Sequence, residues 1–174
     1  MSSTQGGSDK AIALWSKDAL LSKAHRYSQE MLAHDRSDWR FGLSSTFALE
    51  FLARACLASV SPVLLADAKD VNNLYFALGI PPKAAKFIPR AVDLRTVAAR
   101  LRELLPGFTP DHEGFMLQHA NRRNEELHTG AIPFDGLAST WLPNFYQCCD
   151  VLLGSLGETT ADLFGEVKPN WQGR

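Results

Sequence analysis

Apolar positions recur along this chain at three- and four-residue intervals, and the stretches between them carry capping and helix-breaking residues rather than hairpin signals. Leu20, Ala24, Tyr27 and Met31 form one stripe, and Ser8-Asp9 stands where a cap would, predicting a helix over about Lys10–Ala33. Ser37-Asp38 precedes a second helix, from about Trp39 to Ser59, which is apolar on most sides, as a central bundle helix is, and is halted by Pro62. Asp70 opens a short segment, Val71–Leu78, stopped by Gly79 and the Pro81-Pro82 pair. Val92–Leu105 turns Leu94, Val97, Ala98 and Leu101 inward and Arg95 and Arg102 outward, before Pro106-Gly107 ends it. Thr109-Pro110 couples an N-cap to a proline at the first helical position. The helix it starts runs to Thr129, with Gly130 placed for a left-handed close. Leu137, Trp141, Phe145, Cys148 and Leu152 mark a last helix ending near Gly157, which either begins or kinks at Pro143. Asp135-Gly136 sits where it opens that helix, not between two alternating runs.

The expected fold is therefore all-α: a bundle of four main helices plus short ones, in one domain over 10–157, between a flexible polar N-terminus at 1–9 and a C-terminal tail at 158–174. At roughly 150 residues per domain, a length of 174 agrees with a single unit. A composition of 45% hydrophobic and 21% charged residues is that of a globular chain. No unbroken apolar stretch reaches the roughly 18 residues of a membrane span; Phe47–Val60 comes nearest and is interrupted by Glu50 and Arg54. Met1–Asp9 lacks the basic flank and apolar run of a secretory signal, so a soluble cytoplasmic protein with no membrane partner is expected. Cys56, Cys148 and Cys149 have neither zinc-ligand spacing nor a disulfide framework, and read as small core hydrophobes.

Eighteen Lys and Arg against 19 Asp and Glu leave a net charge of −1, so nothing global advertises nucleic acid. The distribution is uneven: Lys83, Lys86, Arg90, Arg95, Arg100 and Arg102 face only Asp93 and Glu103 in the same stretch. That stretch is either a solvated helix face or a track for an RNA backbone, in which Lys86, Arg90, Arg95 and Arg102 carry the contacts.

The densest chemistry closes the Thr109 helix, in Asn121-Arg122-Arg123-Asn124-Glu125-Glu126-Leu127-His128. Asn124 and His128 are i and i+4, so they share a face and the amide can orient the imidazole. The helix C-terminus and Glu125 suit a positively charged imidazole, as acid-base work near neutral pH needs. Arg123 can clamp a phosphate at two points and stabilise charge as it develops. His128 lies in the final turn, where strict helical geometry can relax and let the two groups converge.

An Arg-Asn-x-x-x-His run near a helix end, in a small all-α chain, resembles the HEPN superfamily (higher eukaryotes and prokaryotes nucleotide-binding domain). Its motif is Arg, four to six residues, then His, with a polar residue favoured after the Arg; Arg123, Asn124 and His128 match position by position. The apolar run Thr46–Ala58 with its lone Glu50 is also similar to the family's second helix, and the resemblance spans about Lys10–Gly157. It implies a metal-independent, cofactor-free endoribonuclease whose site forms at a homodimer interface, a toxin or phage-defence effector with an antitoxin or defence-system partner protein. It equally admits a catalytically inactive module that binds nucleotide, RNA or a partner protein. In the active case Arg123, Asn124 and His128 are catalytic, with Arg122, Glu125 and Glu50 in support. The 2′-hydroxyl then attacks its own phosphate, and two apposed copies supply both an acid and a base.

Other constellations are weaker. Glu50, among Phe47, Ala48, Leu49, Phe51 and Leu52, either pairs locally with Arg54 or reaches across the bundle to Arg123 or Arg122. Glu125-x-x-His128 matches half of a di-iron motif that has no second copy, since Glu30 and His34 are i, i+4. His112 and His119 are two turns apart, about 10 Å in rise, too far to share one metal. His25 and His34 are expected to face solvent. No metal site is predicted.

Overall fold

A computed structural model of the chain describes residues 14–83, 86–135 and 140–165. Helix α1 (Lys17–Leu32) is capped by Ser16, whose hydroxyl accepts the Ala19 N–H, so this cap lies later than Ser8-Asp9; those residues and Lys10 lie outside the described residues. Asp38 caps α2 (Trp39–Val60). A 3-10 turn, Pro62–Leu65, leads to α3 (Val71–Ala77), capped by Asp70 and stopped at Gly79, whose φ of +73° suits glycine. Helix α4 (Leu94–Leu104) starts two residues later than the pattern suggests, because the Val92 N–H is drawn to Leu65 O and Ala91 bridges Ala66, leaving Asp93 as the cap. Thr109 and His112 form a reciprocal capping box for α5 (Pro110–His128). Pro143 falls in the first turn of α6 (Leu142–Leu156), so it begins the helix and does not kink it; Leu137 lies outside the described residues, as does Gly136. Among the described residues no strand forms.

Gly130 does not take the expected left-handed close. The left-handed glycines are Gly79, Gly107, Gly157 and Gly165, whereas α5 ends on extended Thr129, whose N–H and hydroxyl both return to the Glu125 carbonyl. With that carbonyl satisfied by threonine, no Schellman turn is needed.

Helix α2 is the axis of the bundle, with α1 along one side and α4, α5 and α6 around the others. Its length and apolarity alone would let it cross a membrane, but here Leu49, Leu52, Cys56 and Leu57 are enclosed by Leu101, Met116, Phe145, Leu152 and Leu153. Each such side chain contributes about 1.5–3 kcal/mol of burial. All three cysteines are free and buried, and burial pushes the thiols of Cys56 and Cys148 up to about 12, so they remain protonated core groups.

The packed unit extends past the Gly157 boundary. A short α7 (Thr160–Phe164) follows, with a Thr159–Asp162 capping box, and buries Leu163 and Phe164 against the rest; the Ser28 hydroxyl sits 2.7 Å from the Leu163 carbonyl. The tail expected at 158–174 is thus structured to Gly165, and residues 166–174 lie outside the described residues.

Candidate functional site

Glu50 is the pivot of the site. It occupies the α2 face toward α5, and its two carboxylate oxygens serve different arginines. Oε1 accepts from Arg54 Nε at 3.1 Å and Nη2 at 2.8 Å, while Oε2 accepts from Arg123 Nη1 on α5. Arg54 also donates through Nη1 to the Val92 carbonyl at 3.0 Å. The two partners weighed for Glu50, local Arg54 and distant Arg123, are therefore both engaged. The Glu50, Arg54 and Arg123 side chains keep 15%, 13% and 19% of their surface, so the carboxylate is largely dry and needs both cations.

Arg123 is further fixed by its neighbour: Asn124 Oδ1 accepts from Nε at 3.3 Å and Nη2 at 3.2 Å. A guanidinium has five N–H donors, so these three contacts leave one on each terminal nitrogen without a partner among the described residues. That is the two-point arrangement a phosphate accepts. The guanidinium carbon also lies 5.7 Å from the Phe47 ring centroid.

His128 stands apart. It is the last helical residue of α5, exposed, and has no hydrogen bond to any described residue. Five helical positions place it about 140° round from Arg123 and about 7.5 Å along the axis, so the two do not converge within one chain. Asn124 turns its carboxamide oxygen to Arg123 and not to His128, because the adjacent guanidinium offers a charged donor. Glu125 is exposed, and its charge acts on Arg122. Glu126, not among the residues singled out above, has its Oε2 buried with no hydrogen-bond partner among the described residues.

Arg122 points a different way, toward His119. This histidine is fully buried among Phe115, Phe134, Trp141 and Phe145. The Ser45 hydroxyl donates to Gly42 O at 2.6 Å, so His119 Nε2–H donates to Ser45 Oγ at 2.7 Å. His119 Nδ1 is then the acceptor facing Arg122 Nη1 at 3.4 Å. Burial first, and the Arg122 charge second, lower the His119 pKa to about 3, so the ring is neutral. Burial likewise lowers Arg122 from its ordinary value. The place of His119 on the Phe115–Met116–Ala120 stripe was the sequence signal for burial. His25 and His34 are half-buried rather than solvent-facing, His34 Nε2 lying 3.4 Å from Glu30.

The cations expected to form an RNA track do not gather at Arg123. Arg102 pairs with Glu113 at 2.9 Å, ten residues and about 15 Å up α5 from Arg123. Lys86 and Arg90 line a separate surface cleft of about 370 Å³ with Asp67, Lys69 and Asp70, where carboxylates offset them. Arg95 is exposed beside Asp93. Among the described residues no three His, Cys, Asp or Glu side chains cluster as metal ligands would.

Comparison of the chain with protein-family models, curated proteins and solved structures gave no match.

Proposed function

We propose that the protein is an endoribonuclease of the HEPN type, acting as a homodimer in which each copy brings a histidine to the other's arginine. The observation that carries this reading is the Arg123 guanidinium: held by Glu50 and Asn124, it keeps one N–H on each terminal nitrogen without a partner among the described residues, on the helix whose last residue is the solvent-exposed His128. Fixed donors aimed at a phosphate need no reorganisation as the transition state forms, which is where electrostatic catalysis gains most. His128 is too far round α5 to serve its own Arg123, so apposed α5 ends from two copies supply the missing geometry. Exposed Leu127 and Ile132, flanking His128, give such a contact an apolar rim.

In this scheme the 2′-oxygen attacks its adjacent phosphorus as the P–O5′ bond breaks. His128 of one copy takes the 2′-hydroxyl proton, and His128 of the other delivers a proton to the leaving 5′-oxygen. The two Arg123 side chains hold the non-bridging oxygens. The products are a 2′,3′-cyclic phosphate and a 5′-hydroxyl. Cleavage of end-labelled RNA by wild type, Arg123→Ala and His128→Ala tests it, each folded variant losing about 10²–10³-fold in rate. A 5′-phosphate product, cleavage abolished by chelator, or full activity in either variant refutes it.

One observation favours a second reading. Among the described residues His128 has no orienting partner of the kind a general base ordinarily has, as expected of a catalytically silent module that binds RNA or nucleotide through Arg123. Binding to RNA with no cleavage by wild type, at any protein concentration, selects it.

A further inference from the structure

Beside the Glu50 pivot, the face shared by α1 and α2 carries a row of partly exposed rings. Phe47 and Tyr27 lie 5.0 Å apart between centroids, and Tyr27 and Phe51 lie parallel at 5.6 Å. All three are half-buried, not enclosed. A cation closes each end: Lys23 Nζ is 4.7 Å from the Phe51 centroid, and the Arg123 guanidinium lies over Phe47. Past Phe51 the row opens into a groove of about 430 Å³, walled by Trp15, Ala19, Leu20 and Phe51, with Lys23, Glu50 and Arg54 as its charged groups. That volume falls in the usual range for small-ligand pockets, about 300–1,000 Å³, and apolar walls with a few charged groups are the usual lining.

We propose that this groove is a base-stacking subsite: it takes an unpaired nucleobase of a single-stranded RNA whose phosphate rests on Arg123. Two features commit the occupant. Glu50 borders the groove through the Arg54 side and holds Arg123 through its other oxygen, so the groove and the phosphate clamp share this carboxylate. Lys23, Arg54 and Arg123 outnumber the single carboxylate, so the surface favours an anionic strand, while Trp15 and Phe51 give the groove an aromatic wall for a base once it displaces the Lys23 ammonium. Alternating cations and aromatic rings is how single strands are held without sequence readout. The subsite deepens the RNA reading above and rests on it for the identity of the strand, but not for its cleavage.

The test uses fluorescence anisotropy with a labelled, fully 2′-O-methylated octa-uridylate, which lacks the attacking hydroxyl, and a strand of equal length with abasic sugars. Ala19→Phe fills the groove; Phe51→Leu removes a ring while keeping apolar volume, and serves if the first variant does not fold. Wild type binds the base-bearing strand about tenfold more tightly than the abasic one, the scale of one stacked base. In each folded variant that ratio falls toward one. A ratio near one in wild type, no binding of either strand, or a ratio unchanged in a folded variant overturns the subsite. If wild type fails to cut ordinary RNA yet shows the ratio, and the variants abolish it, the nuclease reading falls and the subsite stands. If wild type cuts RNA while the ratio survives in the variants, the subsite alone falls.

Discussion

Lowering the pH titrates one group in the core whose behaviour can be worked out in advance. His119 has a pKa of about 3 in the folded chain, against 6.5 for an ordinary histidine. Between those values the unfolded chain binds a proton that the folded chain refuses. Stability from this group is therefore fully present above pH 6.5 and is lost as the pH falls toward 3. Integrating the difference between pH 7 and pH 4.5 gives a loss of about 2–3 kcal/mol from this one ring. For a domain of this size that corresponds to about 5–10 °C in Tm. Carboxylates also titrate in that window, so the informative comparison is wild type against His119→Gln. Glutamine can donate to Ser45 Oγ through Nε2 but carries no titrating proton; the lost ring contacts cost stability by an amount that does not vary with pH. Urea unfolding followed by tryptophan fluorescence, at half-unit steps from pH 4 to 7, measures both. Wild type should show the steeper dependence, by about 3 kcal/mol across the range. Parallel curves would show that the ring protonates in place and that the Ser45–His119–Arg122 chain is not what the hydrogen-bond directions require.

Two further outcomes follow from the packing. Glu50→Gln leaves two arginines facing a neutral amide in a mostly dry setting; breaking fully buried pairs costs about 3–5 kcal/mol, and the residual exposure here lowers that to about 2 kcal/mol. A double-mutant cycle with Arg123→Gln should return a coupling of about 1 kcal/mol, and zero coupling would mean that the contact carries no energy. Gly42→Ala would drive its Cβ into the Phe134 ring, so a loss of about 1–3 kcal/mol in thermal or chemical melts is expected, and an unchanged Tm would place Phe134 elsewhere.

The helices were legible because their ends are written locally. Asp38, Asp70 and Thr109 each cap where the pattern predicted, and Gly157 closes α6 with a φ of +74°. Local chemistry also explains the failures: Thr129 satisfies the end of α5 itself, and the Leu65–Val92 pairing, nearly thirty residues apart, delays α4. The C-terminal α7 was missed because five residues carry too little periodicity, although Leu163 and Phe164 are adjacent apolar groups that α1 and α6 cover. At the site, Arg123, Asn124 and His128 could be selected by spacing, but their partners could not. Spacing supplies i, i+4 neighbours, whereas Glu50 and Arg123 are 73 positions apart and Ser45 and His119 are 74. Sequence left Glu50 with a choice of arginines that a two-oxygen carboxylate did not have to make.

Those two long-range contacts belong to one device. Helix α2 is apolar over most of its surface, yet toward α5 it presents Ser45 and Glu50, little more than one turn apart. Ser45 reaches Arg122 through His119, and Glu50 reaches Arg123 directly. Arg122 and Arg123 are consecutive, about 100° apart on α5, so α2 grips α5 on two flanks at a single level. Apolar packing alone tolerates a helix rotating or sliding by part of a residue, since Leu against Met or Phe is not directional. A carboxylate that needs two arginines and a neutral imidazole that needs one donor and one acceptor do not tolerate it. The polar pair therefore fixes the rotation of α5 about its axis more than it adds to stability. Rotation is the variable that decides whether the remaining N–H groups of Arg123 face outward beside Phe47 or turn into the bundle. Any chemistry at Arg123 thus depends on Ser45 and His119, one turn away and wholly out of solvent, as much as on the residues that would touch a phosphate.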